Sequence, residues 1–125
     1  MSDSYRIKES SIHGLGVFAT TEILPMQKIG EFTGEIISRR EVRRLTAEDR
    51  IHIFEFFGGG HAMHIQNDLR YLNHSSTPNA CLLVSGDRLE IFALAAIEPG
   101  EELTMDYGPS ARMFDQTLDR TLQAC

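Results

Sequence analysis

Five histidines are the first place to look for a metal. His61 and His64 are three apart, a spacing that puts them on opposite faces of a strand. Gly58-Gly59-Gly60, just before them, argues against a helix. His13, His52 and His74 are scattered, and the two cysteines are Cys81 and Cys125, so no zinc set can be assembled and no metal is expected. A serine hydrolase is poorly supported, because no Gly-x-Ser-x-Gly elbow exists and Ser75 directly follows His74. Asn73-His74-Ser75 also matches a glycosylation sequon, which means little without a secretion signal. Three further segments hold the remaining chemistry. In His13-Gly14-Leu15-Gly16-Val17-Phe18-Ala19, two glycines around one apolar residue let a backbone approach a ligand closely, although from these residues alone a plain tight turn is the better reading. Arg70-Tyr71-Leu72-Asn73-His74-Ser75-Ser76-Thr77-Pro78-Asn79 is too polar for a core strand and reads as a loop closed by Asx turns or as a polar site wall. In Gly100-Glu101-Glu102-Leu103-Thr104-Met105-Asp106-Tyr107-Gly108, the tyrosine is either a core anchor or a site hydroxyl.

The elements that must position these segments are short and mostly extended. Tyr5–Glu9 and Gly16–Thr20 read as a strand pair around the turn Ser11-Ile12-His13-Gly14. Leu24-Pro25-Met26 breaks the chain before a strand near Lys28–Thr33. Ser38-Arg39-Arg40-Glu41 fits a capping box, predicting a short helix to about Leu45. Its Arg39, Arg40, Arg43 and Arg44 read as a solvated face rather than a phosphate site. Ile51–Phe57 and His61–Ile65 flank the three glycines as a hairpin, and Ala80–Ser85 and Arg88–Ala95 flank Gly86-Asp87 as another. Pro99-Gly100 turns into a last strand, Glu102–Met105. From Ser110 the tail reads as a helix with Met113, Phe114, Leu118 and Leu122 on one face.

At 125 residues the chain suits one domain, and its 42% hydrophobic and 24% charged content is that of a globular protein. No apolar run approaches the ~20 residues that span a bilayer, and the polar start Met1-Ser2-Asp3-Ser4-Tyr5-Arg6 has no signal-peptide core. No membrane partner is expected, and a reducing compartment is the simplest reading of two cysteines. Residues 1–50 hold eight basic and eight acidic residues, so the whole net charge of −6 lies in residues 51–125. Direct nucleic-acid binding is therefore not expected, whereas basic, lysine-rich partners are favoured.

The three segments, in this order and spacing, resemble the SET domain of protein lysine methyltransferases. Gly14-Leu15-Gly16 is similar to the family's Gly-x-Gly cofactor segment. Glu31-Phe32-Thr33-Gly34-Glu35-Ile36-Ile37 is similar to its Glu-Tyr-x-Gly-Glu strand, with phenylalanine in the tyrosine position. Arg70 through Asn79 is similar to its Arg-Phe-Ile-Asn-His-Ser-Cys-x-Pro-Asn motif, and Glu101 through Gly108 to its Glu-Glu-Leu-Thr-Phe-Asp-Tyr-Gly ending. The last two motifs are long, so chance explains the pair poorly. The resemblance implies a mostly β fold of small β-clip-like sheets with few short helices and a C-terminal pseudoknot. The SET domain would occupy residues 1–108 and a helical tail residues 109–125, packed on the domain or on a dimer partner.

The activity so implied is methyl transfer from S-adenosyl-L-methionine to lysine side chains of a histone-like or other basic protein. Tyr107 would be the catalytic tyrosine. Gly14, Leu15, Gly16, Asn73, His74 and Tyr107 would bind the cofactor, and Phe32, Met105 and Tyr107 would line the lysine channel. Arg70 would fix the pseudoknot, and Tyr71 would pack. The chain departs from the pattern at Phe32, at Met105, where the family often has an aromatic residue, and at Ser76, the motif's cysteine. With only Cys125 following, the zinc site of the family's C-terminal segment is not expected. The alternative reading is a SET-like binding module that has lost turnover, which those three departures favour; retained Asn73, His74 and Tyr107 favour the enzyme. A homodimer is expected, with the Met113, Phe114, Leu118 and Leu122 stripe as contact, and an intracellular location, whether cytoplasmic, chromatin-bound or host-targeted.

Overall fold

Alternation of apolar and polar residues builds the first hairpin. β1 (Tyr5–Glu9) and β2 (Leu15–Ala19) pair antiparallel with Ile7 opposite Val17, and Val17 is fully enclosed. The turn between them closes where the Ser10 amide donates to the Gly14 carbonyl at 2.8 Å, with Gly14 at a φ of 45°. The computed structural model describes residues 4–46, 52–55, 61–86 and 88–106. β3 (Lys28–Phe32) and β4 (Gly34–Ser38) follow, then α1 (Arg39–Arg43), β5 (Ile53–Glu55) and β6 (His61–Ile65). A 3₁₀ turn (Asp68–Tyr71) leads to β7 (Asn73–His74), β8 (Ala80–Ser85), β9 (Arg88–Ala93) and β10 (Glu102–Met105).

These strands form three small sheets, ordered β1-β2-β10-β7, β3-β9-β8 and β4-β6-β5. The fold is thus mostly β with short helices, as expected. Within the segment read as one motif strand, the chain changes sheet at Thr33. Asn67 clamps that corner: its Nδ2 donates to the Glu31 carbonyl at 2.6 Å and its Oδ1 accepts from the Thr33 amide at 3.3 Å. The Gln66 amide donates to the Thr33 carbonyl at 2.8 Å. Gly34 then passes so close to the His64 carbonyl that no Cβ would fit.

The capping box at α1 is complete. The Ser38 hydroxyl accepts from the Glu41 amide at 3.1 Å and the Glu41 carboxylate accepts from the Ser38 amide at 2.9 Å. The helix ends at Arg43, with Arg44 as its C-cap, slightly short of the expected Leu45. Arg39, Arg40, Arg43 and Arg44 are exposed. β9 stops at Ala93 rather than Ala95, and one further bond beyond its end, from the Leu94 amide to the Asn79 carbonyl at 2.8 Å, keeps the register of the β8–β9 ladder.

One hydrophobic cluster joins the sheets. Val17 and Leu103 from the first meet Leu82, Leu89 and Ile91 from the second, with Leu69 of the 3₁₀ turn between them. Outside the core, Lys28, Glu31, Arg88 and Glu90 form an ion cluster across β3 and β9, each contact between 2.8 and 3.1 Å. Hydrogen bonds from Arg88 and then Lys28 hold the Glu31 carboxyl at about 2, against an ordinary 4.5. Among the described residues no helix is long and apolar enough to cross a membrane.

Candidate active site

β10 runs through the middle of the first sheet. On one side it pairs antiparallel with β2, Leu103 opposite Val17. On the other it pairs parallel with β7, Thr104 opposite Asn73 and Met105 opposite His74. A parallel partner cannot come from a tight hairpin, so the Arg70–Asn79 segment reaches β10 only because the chain in between has folded away as β8 and β9. The Ser75 amide continues the contact, donating to the Met105 carbonyl at 3.1 Å.

Two asparagine side chains stitch this segment in place. Asn79 Nδ2 donates to the Glu102 carbonyl at 2.8 Å and to Glu101 Oε2 at 3.2 Å, while its Oδ1 accepts from the Thr104 amide at 2.8 Å. Asn73 Nδ2 lies 2.8 Å from Glu102 Oε2, 3.1 Å from the Leu15 carbonyl and 3.2 Å from the His13 carbonyl. The two segments expected to bind cofactor therefore meet through one amide. The glycines of the first segment are needed for different reasons. Gly14 has a left-handed φ and open space around it, whereas a Cβ at Gly16 would run into the Glu102 carboxylate.

The remaining expected residues fall as follows. Leu15 is 42% exposed beside these bonds and Gly14 is exposed with it, whereas Gly16 is buried. His74 is exposed, with Nδ1 3.8 Å from Asp106 Oδ1. That Asp106 oxygen is buried and accepts no hydrogen bond among the described residues. Phe32 and Met105 are both buried in the main core cluster. Arg70 donates to the Gln66 and Asn67 carbonyls at 3.1 and 3.0 Å and stacks 4.3 Å above the Tyr71 ring, so it locks the 3₁₀ turn ahead of β7. Tyr71 packs against the core. Tyr107, the tail residues Met113, Phe114, Leu118 and Leu122, and the glycine tip of the β5–β6 hairpin lie outside the described residues. Among the described residues no three His, Cys, Asp or Glu side chains gather as metal ligands.

Glu102 lies within the last motif, but its role, like that of Ser10, emerges only from the structure. The Ser10 hydroxyl donates to both Glu102 oxygens, at 2.8 and 2.9 Å. A carboxylate at the head of the buried run Leu103-Thr104-Met105 was the available signal, since a half-buried charge demands donors.

The pattern of the SET domain family matches residues 14–108, three quarters of the chain. The chain belongs to the SET-domain family. This SET domain is 38% identical over 111 residues to histone-lysine N-methyltransferase MEDEA of Arabidopsis thaliana, covering 81% of the chain and 16% of that protein. It is 33% identical over 119 residues to histone-lysine N-methyltransferase set-2 of Caenorhabditis elegans, covering 82% and 8% respectively. It thus spans less than a fifth of either relative's length. Among solved structures it resembles ctPRC2 in an autoinhibited conformation bound to S-adenosylmethionine, with a TM-score of 0.71 and 28% identity over 98% of this chain and 17% of that one.

Proposed function

We propose that this SET domain transfers a methyl group from S-adenosyl-L-methionine to the side-chain amine of a protein lysine. The observation that carries the reading is the Asn73 amide, which ties the Gly14-Leu15-Gly16 backbone to the Asn73-His74 strand across some sixty residues of chain. The residues present suit the cofactor. Gly14, Leu15 and Gly16 offer backbone and an exposed apolar side chain, Asn73 and His74 offer polar groups, and Tyr107 completes the set. The bound cofactor supplies an electrophilic methyl carried on a sulfonium. Phe32, Met105 and Tyr107 line the lysine channel, where exclusion of water penalises the ammonium and holds the amine neutral. The Tyr107 hydroxyl and rim carbonyls orient the reacting groups through C–H···O contacts, so the protein acts by alignment and desolvation. The net charge of −6 and the histone-lysine specificity in the relatives' names point to a histone-like or other basic substrate. A homodimer contact or the tail 109–125 would close the channel, and the setting would be intracellular, in cytoplasm, in chromatin or in a host cell.

The test is calorimetric titration with S-adenosyl-L-methionine, followed by mass spectrometry of lysine-rich proteins incubated with both. Saturable binding and lysine methylation are expected. Absence of cofactor binding would overturn the reading. Binding without transfer would install the alternative, an interaction module without turnover, which the departures at Phe32, Met105 and Ser76 favour.

A further inference from the structure

Glu102 joins three parts of the site although no ligand contact is credited to it. Its carboxylate accepts from Ser10 at the end of β1 and from Asn73 in β7, and it occupies the space beside Gly16 in β2 where a side chain would otherwise stand. Its own carbonyl is held by Asn79. The neighbouring Glu101 is differently employed: Oε1 accepts from the Glu98 amide at 3.0 Å, closing the Pro99-Gly100 turn, and Oε2 meets Asn79. Two adjacent carboxylates therefore have separable roles, one in a turn and one behind the glycine segment.

The arrangement around Asn73 turns this into a statement about binding. Three acceptors, one of them charged, surround the amide nitrogen, and that decides which way the amide lies. The nitrogen faces Glu102 and the glycine segment, and the oxygen faces the other way. With glutamine at 102, the Ser10 hydroxyl can turn to accept from the new NH₂ while the amide oxygen still faces Asn73, so what the Asn73 amide loses is the charge on its strongest acceptor. The amide would then be held by neutral acceptors alone, and the tie of the Gly14–Gly16 backbone to β7 would loosen.

We propose that Glu102 is a positioning residue for the cofactor: without contacting it, the carboxylate sets the orientation of the Asn73 amide and the placement of the Gly14-Leu15-Gly16 backbone that binds it. The inference rests on the methyltransferase reading above.

The test compares Glu102→Gln with Glu101→Gln in the full chain, measuring the S-adenosyl-L-methionine Kd by calorimetry, kcat at saturating cofactor, and Tm. Glu102→Gln should raise the Kd about tenfold or more, the consequence of losing a charge-assisted hydrogen bond. Its kcat at saturation should stay within about threefold of wild type, because the reacting groups are untouched. Glu101→Gln should lower Tm yet leave the Kd within about twofold. A folded Glu102→Gln protein with an unchanged Kd overturns the proposal, as does an equal rise in Kd for both variants, which would mark a general loss of stability. A second measurement needs no variant. In the ligand-free wild type, NMR should show the Asn73 side-chain NH₂ protons close to the Gly16 α-protons and slowed in exchange. An Asn73 amide averaged by free rotation overturns the proposal even where Glu102→Gln fails to fold. If the wild type itself binds no cofactor, it is the methyltransferase reading that fails, and the NMR result still judges the placement.

Discussion

Replacing Gly34 by alanine should unfasten the corner where the chain crosses between sheets. A Cβ there would overlap the His64 carbonyl oxygen and stand 2.8 Å from its carbon and 2.9 Å from the Gln66 nitrogen. All three are backbone atoms, so no side-chain rotation can make room. Gly34 has no left-handed φ, so the penalty is steric alone. Restoring an ordinary contact near 3.5 Å moves β4 away from β6 by roughly 1 Å or more. That displacement stretches the 2.8 Å bond from the Gln66 amide to the Thr33 carbonyl, and the 3.3 Å bond from the Asn67 amide to the same carbonyl, beyond hydrogen-bond range. Two backbone bonds, partly unsatisfied after the shift, amount to about 2–4 kcal/mol. Urea unfolding of Gly34→Ala should show a midpoint lowered by about 1–3 M at an unchanged slope. Gly86→Ala is the control. Its φ is 63° and nothing lies within 4 Å of the added carbon. It should lose only the left-handed penalty of about 1–2 kcal/mol. If Gly34→Ala unfolds within ~0.5 M of wild type, or no earlier than Gly86→Ala, the steric reasoning is wrong.

Asn79→Asp keeps the acceptor for Thr104 but sets an oxygen against the Glu102 carbonyl and the Glu101 carboxylate. It should destabilise by about 2–4 kcal/mol at pH 7 and recover in part once the new carboxyl protonates, as thermal melts across pH would show. Because the folded-state Glu31 carboxyl sits at about 2 rather than 4.5, its contribution is complete above 4.5 and fades as pH falls from there toward 2. On this exposed cluster the loss is about 1 kcal/mol, and Glu31→Gln should flatten that part of the stability profile. Tyr107→Phe should leave folding and cofactor affinity nearly unchanged while turnover falls by roughly a hundredfold or more; activity within about threefold of wild type would remove Tyr107 from the mechanism. Light scattering at micromolar concentration should give a dimer, and Phe114→Glu should shift it to monomer if the tail forms the contact.

Legibility followed sequence distance. The β1–β2 and β8–β9 hairpins, the capping box and β10 were readable because alternation, a turn signal or a cap lies within a few residues. The strand ends shifted by a residue or two, as at β2 and β9, because alternation marks a strand's body more sharply than its ends. The crossing at Thr33 could not be read, since Lys28 through Ser38 is extended throughout and the partner that divides it, Asn67, lies 34 residues away. β7 is two residues long and parallel to its partner, below what periodicity can register. For the site, residue types revealed Gly14, Gly16, Asn73 and His74 as unusual, and the family resemblance grouped them. The group that holds them together, Glu102, was seen only in three dimensions.

The stitching at Glu102 also dictates when the site can come into existence. Ser10 and Glu102 are separated by 92 residues, Asn73 and His13 by 60, and Asn73 and Glu102 by 29. Closing the longest of these loops costs about 2 kcal/mol more than closing one of ten residues. During synthesis at roughly 5–20 residues per second, the glycine segment leaves the ribosome roughly 5–20 s before the carboxylate that fixes it. In that interval β2 has β1 as a partner but lacks β10. A nascent chain stalled before Glu102 would therefore carry most of the core and no finished cofactor edge. Ligand could rescue a completed but loosely folded chain by mass action, yet it could not template a growing one.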